Sequence, residues 1–469
     1  MSKKFLSIGM MAGTAVEKYR LLQKGCCETW IPQCEKVYMF CGKHHEFDFE
    51  GEMCSLTGDK AEFIHFSDVG EDYNSASQKF WYGLAWLMEN DPAEWYAMLG
   101  SDNYVRYDKL VETLNKFDCS TPLTLGGSTQ YRMLKPNGVD VQVPFNIGGG
   151  GNYITHSALE MIFDKWSGDR IDQARALISE WNQISEESSR LDLIPACDVA
   201  LGYYSWELDV PMVAVRGLCP IDWTGHQYWA RNGCYFSFNR DSIIVCHYMS
   251  RALMHEYHHF LGYDKLNSAQ QYLSLRYEEA STNKSDISEH IPTLYAYAKE
   301  CNVIAEMGVR TVVSTWAFLN GLDEGGRLYC VDIENVPSID RVADVASTLG
   351  IYVKFLHEDS AKVDLPEKVD LLFIDTWHIY GHLKRELNKH HMNTNKYIIM
   401  HDTTVDEFLG ESIRLGSNLK KQSEDSGYPI HEIARGLWPA IEEFLRDHPE
   451  WELHVRYTNC NGLTILKRK

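Results

Sequence analysis

The chain has no Cys-x-x-Cys pair, no internal repeat, no low-complexity tract and no apolar run long enough to span a bilayer. Its 13 cysteines are odd in number and scattered, apart from the adjacent Cys26 and Cys27. Such a pattern excludes a disulfide framework and reads as the reduced thiols of a cytoplasmic protein. Positive charge is scarce too: 45 Lys and Arg stand against 66 Asp and Glu, for a net charge of -21. Phosphate backbones and anionic membranes are not attracted to such a chain, so neither nucleic acid nor a membrane is the expected partner.

What is present is enough for more than one core. At 469 residues, two or three domains are expected, and 44% hydrophobic with 24% charged residues is the balance of a soluble globular protein. A homo-oligomer is left open. The opening "MSKKFLSIGMMAGTAVEKYR" has the outline of a signal peptide. A first β-strand is the better reading, because the domain that continues from it needs one. Further strands are expected at "KVYMFCG" and "EWYAML", and "SQKFWYGLAWLMEN" has helical spacing. The text turns polar from residue 262 to 285, which suggests a partly helical connector between residues 1–261 and 286–469. A second β/α series follows: "NVIAEMGV", "GRLYCVDI", "YVKFLHED", "VDLLFID", "KYIIMHD". Strands that alternate with helices and end on acids predict parallel sheets with ligands at the carboxyl ends.

In the first half, Asp102 ends an apolar strand inside Gly100-Ser101-Asp102-Asn103, "FNIGGGGNYITHSALEMI" places four glycines before a helix, Asp198 lies in a turn-like segment, and His247 ends a β-branched run. A carboxylate and an imidazole brought together can hold a divalent cation that neutralises a diphosphate. A second carboxylate off the metal can accept a proton from an attacking hydroxyl. Glycines let the backbone approach a ligand closely. The zinc-protease pattern H-E-x-x-H also occurs, in "HEYHH" at 255–259, without an evident third ligand.

Taken in order, "ETWIPQ", "GSDNYV", "IGGGGNYITHSAL", "CDVALG" and "CHYMSRALM" resemble the fringe-like β-1,3-glycosyltransferases of family 31 across residues 5–261. The resemblance implies an α/β GT-A fold, a UDP-sugar donor, Mn2+ or Mg2+, a glycan acceptor and inversion in one displacement. It makes Asp102 and His247 the metal ligands and Asp198 the catalytic base, with Lys79, Ser101, Gly149 and Gly150 around the substrates. The family's first two acids of the D-D-D motif are Gly100 and Ser101 here, and the acid before Asp198 is Cys197.

In the second half, a strand leads to Glu306 and Gly308, and the next ends on Asp332, the arrangement in which glycine opens space and an acid bonds ribose hydroxyls. A full G-x-G-x-x-G is absent. Asp359 and Ser360 end a third strand, and Asp375, His378, His401 and Asp402 follow the next two. Metal held by Asp375 and Asp402 can lower the pKa of a sugar hydroxyl while His378 takes its proton. Residues 286–469 resemble class I S-adenosylmethionine-dependent methyltransferases, with a Rossmann-like fold, and among them the cephalosporin-hydroxylase-like group that includes sugar O-methyltransferases. The segments that carry this are "IDTWHIYGHLKREL", "MHDT" and "LWPAIEEFLRDHPEWELHVRYTNCNGLTIL". The resemblance implies that Glu306, Gly308, Ser314, Asp332, Asp359 and Ser360 contact the cofactor. Val312 stands where a second glycine is common, and His401 where some metal-dependent members carry an acid.

The expectation is a bifunctional enzyme that adds a sugar and O-methylates a sugar, with tethering raising the effective concentration of a shared product. Two rivals are a methyltransferase whose first domain only binds glycan, motivated by Gly100, Ser101 and Cys197, and a non-catalytic scaffold that binds neither cofactor.

Overall fold

A computed structural model describes residues 3–219, 242–263 and 269–469. The chain divides into two compact units, Met1–Lys265 and Leu266–Lys469. Both are mixed α/β with sheets dominated by parallel pairs. Among the described residues no helix is long and apolar enough to cross a membrane.

The first unit is built on β1 (Lys4–Met11), β2 (Val37–Cys41), β3 (Ala61–His65), β4 (Ala93–Gly100), β5 (Tyr104–Val105), β6 (Thr124–Gly126), β7 (Thr129–Leu134), β8 (Val141–Asn146), β9 (Asn152–Thr155), β10 (Met212–Ala214) and β11 (Val245–Cys246). Its main sheet has the order β10-β6-β9-β4-β1-β2-β3, and the pairs β5–β11 and β7–β8 stand apart. The main sheet is covered on both faces. β4 sends Trp95, Ala97 and Leu99 to one core and Tyr96 and Met98 to the other, which is why it reads as an unbroken apolar run. The helix Ala76–Asn90 supplies Phe80, Trp81, Leu84 and Leu87 to the second of these cores.

The second unit follows with β12 (Val303–Met307), β13 (Arg327–Asp332), β14 (Tyr352–His357), β15 (Val369–Ile374), β16 (Thr394–His401), β17 (Trp451–Tyr457) and β18 (Leu463–Arg468). The order is β14-β13-β12-β15-β16-β18-β17, parallel from β14 to β16 and antiparallel at β18 and β17. Alternation again splits the strands between two cores, with Leu371 and Phe373 on one side of β15 and Leu372 and Ile374 on the other. In each unit one strand, β1 or β12, is flanked by parallel partners that run outward in opposite directions. A crevice for ligands opens outside the carboxyl ends at such a point.

Three expectations change. The polar stretch 262–285 is not a connector throughout: Ala269–Thr282 is a helix that buries Tyr272, Leu273 and Ala280 in the second unit's core. The compact units meet at 265/266. Asp198 lies not in a loop but in the first turn of the helix Cys197–Glu207. The glycine run leads first into β9, and only then into the helix His156–Phe163.

Candidate functional site

In the first unit the turn after β4 is closed by Asn103, whose side-chain oxygen accepts from the Gly100 amide at 2.7 Å. Its amide group then donates to the carbonyls of Gly149 (2.7 Å) and Cys246 (3.0 Å). The glycine run and β11 are thereby tied beside Asp102. The Asp102 carboxylate lies 3.3 Å from Nε2 of His247. Burial pushes the Asp102 carboxyl up, but the facing imidazole outweighs it and holds the group below its ordinary value. The neighbouring Gly148 amide donates to Asp198 at 3.0 Å, and the Val199 amide donates to its other oxygen at 2.9 Å. Burial raises the Asp198 pKa, and these two donors offset only part of that. A Cβ on Gly150 would stand 2.7 Å from the Leu218 carbonyl carbon, so only glycine fits there. Asp102, His247, Gly149 and Asp198 are thus linked through Asn103 and the glycine run.

Two other residues expected around the substrates make internal hydrogen bonds. Lys79 is buried and donates to the Ala12 carbonyl at 2.6 Å. It braces the end of β1, together with Glu71, which accepts from the Thr14 amide at 2.9 Å. Ser101 is buried, with its carbonyl accepting from the Cys26 thiol at 3.2 Å. The H-E-x-x-H pattern makes no metal face: His255 is buried against Glu28 at 2.8 Å, whereas His259 is exposed. His247 Nδ1 is buried without a hydrogen-bond partner. The Asp102–His247 pair suits a cation that takes its remaining ligands from a diphosphate and water. Among the described residues no third His, Cys, Asp or Glu groups with that pair.

In the second unit β12 ends at a loop that admits only glycine. Gly308 has φ 86°, and a Cβ there would stand 1.9 Å from the Asp375 carbonyl oxygen. Glu306 is fully buried, its oxygens accepting from Ser314 (2.5 Å) and Thr315 (2.8 Å). Burial raises its pKa to about 7, against the pull of those hydroxyls. Both Glu306 and Ser314 are buried, and their hydrogen bond joins the helix Val313–Gly321 to β12. Asp332 accepts from the amides of Val309 (2.9 Å), Arg310 (3.0 Å) and Glu334 (2.9 Å), so it shapes the same loop and keeps unused lone pairs. Asp359 accepts from the Ala361 amide at 2.9 Å. Ser360 is buried, its hydroxyl donating to Glu386 at 2.6 Å.

Beyond β15 and β16 four groups converge. His378 Nε2 lies 3.1 Å from Asp375, and its Nδ1 lies 3.0 Å from Asp402 and 3.5 Å from Asp406. His401 Nδ1 lies 3.2 Å from the same Asp375 oxygen. Its Nε2 faces two carbonyl oxygens, Asp286 at 3.1 Å and Cys460 at 3.2 Å. Carbonyls only accept, so the proton sits on Nε2, and Nδ1 offers its lone pair toward Asp375 and Asp402 when the ring is neutral. Asp402 Oδ1 is buried without a hydrogen-bond partner. Asp375, His401 and Asp402 together offer ligand atoms within 4.8 Å of one another. These observations fit a divalent cation, and His401 is part of the fit, not a defect in it.

The charges follow from the packing. Burial pushes Asp375 up, but His378 and His401 outweigh it and hold its carboxyl well below the ordinary range. Burial pushes His378 down, and Asp375, Asp406 and Asp402 outweigh that, leaving it well above an ordinary imidazole. Asp406 is fully buried, its two oxygens accepting from Nε and Nη2 of Arg414 at 2.7 Å each. A small, partly apolar cavity beside these groups is lined by Ile374, Thr376, Trp377, His378, Leu383, Glu386, Met400, His401 and Leu437. Sequence reading missed Asn103, Asp406 and Glu386. Only Asp406 left a signal, four residues beyond Asp402 in an acidic run.

No family model matches the chain, and no curated protein matches it in sequence. Among solved structures it is similar to an O-methyltransferase from Bacillus cereus in complex with SAH (16% identity, TM-score 0.30, 46% of this chain and 96% of the other). It is also similar to the O-methyltransferase TomG from Streptomyces achromogenes, involved in tomaymycin synthesis and in complex with SAM (12%, TM-score 0.29, 44% and 91%). A third is the 1,6-didemethyltoxoflavin-N1-methyltransferase from Burkholderia thailandensis (14%, TM-score 0.28, 46% and 90%). Likeness at this level assigns neither activity nor substrate to this chain.

Proposed function

We propose that the second unit transfers a methyl group from S-adenosylmethionine to a sugar hydroxyl, and that the first transfers a sugar from a UDP-sugar to a glycan with inversion. The observation that carries the reading is the meeting of Asp375, His378, His401 and Asp402 beside the glycine loop at Gly308. S-adenosylmethionine supplies a methyl group on a positively charged sulfur. A divalent cation held by Asp375, His401 and Asp402 would lower the proton affinity of both the acceptor hydroxyl and His378. His378 would accept the hydroxyl proton as the oxygen takes the methyl carbon and the carbon–sulfur bond breaks, with S-adenosylhomocysteine as the leaving group. Asp406, locked by Arg414, keeps the imidazole oriented. In the first unit Asp198, with its raised pKa, accepts the acceptor's proton, while Asp102 and His247 would hold the cation that balances the UDP leaving group.

His378→Ala tests the assignment. Methyl transfer should fall by roughly a hundredfold or more, with S-adenosylmethionine affinity unchanged by calorimetry. Asp375→Ala should stop transfer through the metal, with partial recovery in excess magnesium. Failure of the wild-type chain to bind S-adenosylmethionine would remove the reading. A second reading, a first unit that binds glycan without catalysis, is favoured by the two-ligand character of the Asp102–His247 pair. Metal-dependent hydrolysis across a panel of UDP-sugars separates the two: turnover supports the enzyme, none supports the binding module.

A further inference from the structure

A second polar cluster lies at the opposite, amino end of β16. His391 starts the turn before that strand, His448 follows the helix Trp438–Asp447, and Glu450 immediately precedes β17. The His391 side chain is 9% exposed, and its Nδ1 is buried without a hydrogen-bond partner. That atom stands 3.7 Å from Glu450 Oε1, and His448 Nδ1 stands 3.5 Å from the same oxygen. The three ligand atoms lie within 4.8 Å of one another. These separations are too long for good hydrogen bonds. A buried ring nitrogen left unpaired is costly, and a ligand at this position would satisfy it.

The spacing suggests which one. Atoms about 2.0–2.1 Å from a tetrahedral zinc stand about 3.4 Å apart, close to the separations found. Both imidazoles lean on Phe444, His391 at 5.6 Å and His448 at 4.6 Å between ring centroids. Their planes are 50° apart, so their lone pairs are not parallel. His448 and Glu450 are 23% and 37% exposed, which leaves a side open to water.

We propose that His391, His448 and Glu450 bind a zinc-class divalent cation, with water as the fourth ligand. Two imidazoles and a carboxylate suit zinc, cobalt or nickel, whereas magnesium and calcium prefer oxygen alone. Arg468 donates to the carbonyls of His391 (3.3 Å) and Thr394 (2.7 Å). Its charge lowers cation affinity, and the Glu450 carboxylate offsets it. A cation there ties the start of β16 to the turn before β17 and stabilises the folded chain by mass action.

The test is titration of zinc chloride, followed by calorimetry, into the full chain stripped of metal. Wild type is compared with Glu450→Gln and His448→Ala. Because Asp375, His401 and Asp402 also offer an imidazole, the readout is the number of equivalents. Each variant should lose one equivalent relative to wild type, and zinc should raise its melting temperature less. Excess magnesium should not compete for that equivalent. Equal stoichiometry and affinity in all three proteins would overturn the proposal. Glu450 is partly exposed and glutamine keeps its shape, so that variant decides the matter if His448→Ala does not fold.

Discussion

The Asp198 carboxylate is held by two backbone amides in the first turn of a helix, and burial keeps its proton affinity above that of an ordinary aspartate. Asp198→Asn keeps the shape and removes the proton acceptor. Sugar transfer should vanish while UDP affinity in manganese is retained, as calorimetry can show. An asparagine accepts from only one of the two amides, so a loss of about 1–3 kcal/mol in stability should accompany it. Glu28 makes a separate case. Burial pushes its pKa up, but His255 and Arg251 outweigh that and hold it at about 2. Its stabilising effect is therefore present above the ordinary value of 4.5 and is lost as pH falls from there through about 2. Glu28→Gln should cost about 3 kcal/mol at neutral pH, and the gap to wild type in denaturant melts should narrow on acidification. Residues of this kind were only partly legible. Asp102 and His247 stood out because each ends an apolar strand. The burial of Glu306 and Ser314 was not legible, because a carboxylate facing a crevice and one facing the core read the same in sequence. The role of Asn103 was invisible, since both of its carbonyl partners are distant in sequence.

At the level of elements, the strands that carry the sites were readable because two covered faces demand continuous apolar runs. Helix was expected within the stretch 262–285, but its place in the second unit's core was not legible, because Tyr272, Leu273 and Ala280 are spaced among polar residues. The loop after β12 shows how tightly two elements are joined. The Asp375 amide donates to the Met307 carbonyl at 2.9 Å, and Gly308 lies against the Asp375 carbonyl. Gly308→Ala drives a methyl group into that oxygen and strains a positive φ. It should cost more than about 2 kcal/mol and abolish S-adenosylmethionine binding. Thermal melts and calorimetry would show both, and a well-folded variant with normal affinity would show that the crevice lies elsewhere.

For the whole molecule, the two compact units predict separable folding, provided the cut respects the helix at 269–282. A fragment of residues 266–469 should be monodisperse, melt cooperatively and bind S-adenosylmethionine. A fragment of residues 286–469 lacks the helix that places Tyr272 against Trp316, ring centroids 6.0 Å apart. It should melt at a lower temperature or aggregate. Equal stability of the two fragments would return the helix to the role of a connector.

His401 keeps its outer proton against the carbonyls of Asp286 and Cys460, residues made long before and long after it. During synthesis at about 5–20 residues per second, some 3–12 s separate the emergence of this histidine from that of its last carbonyl partner. β18, which follows that partner, is inserted between β16 and β17. Until it arrives, the nascent unit carries an exposed sheet edge and a histidine whose tautomer is undecided. The cation site proposed at Asp375, His401 and Asp402 is therefore completed only once β18 has been made and paired.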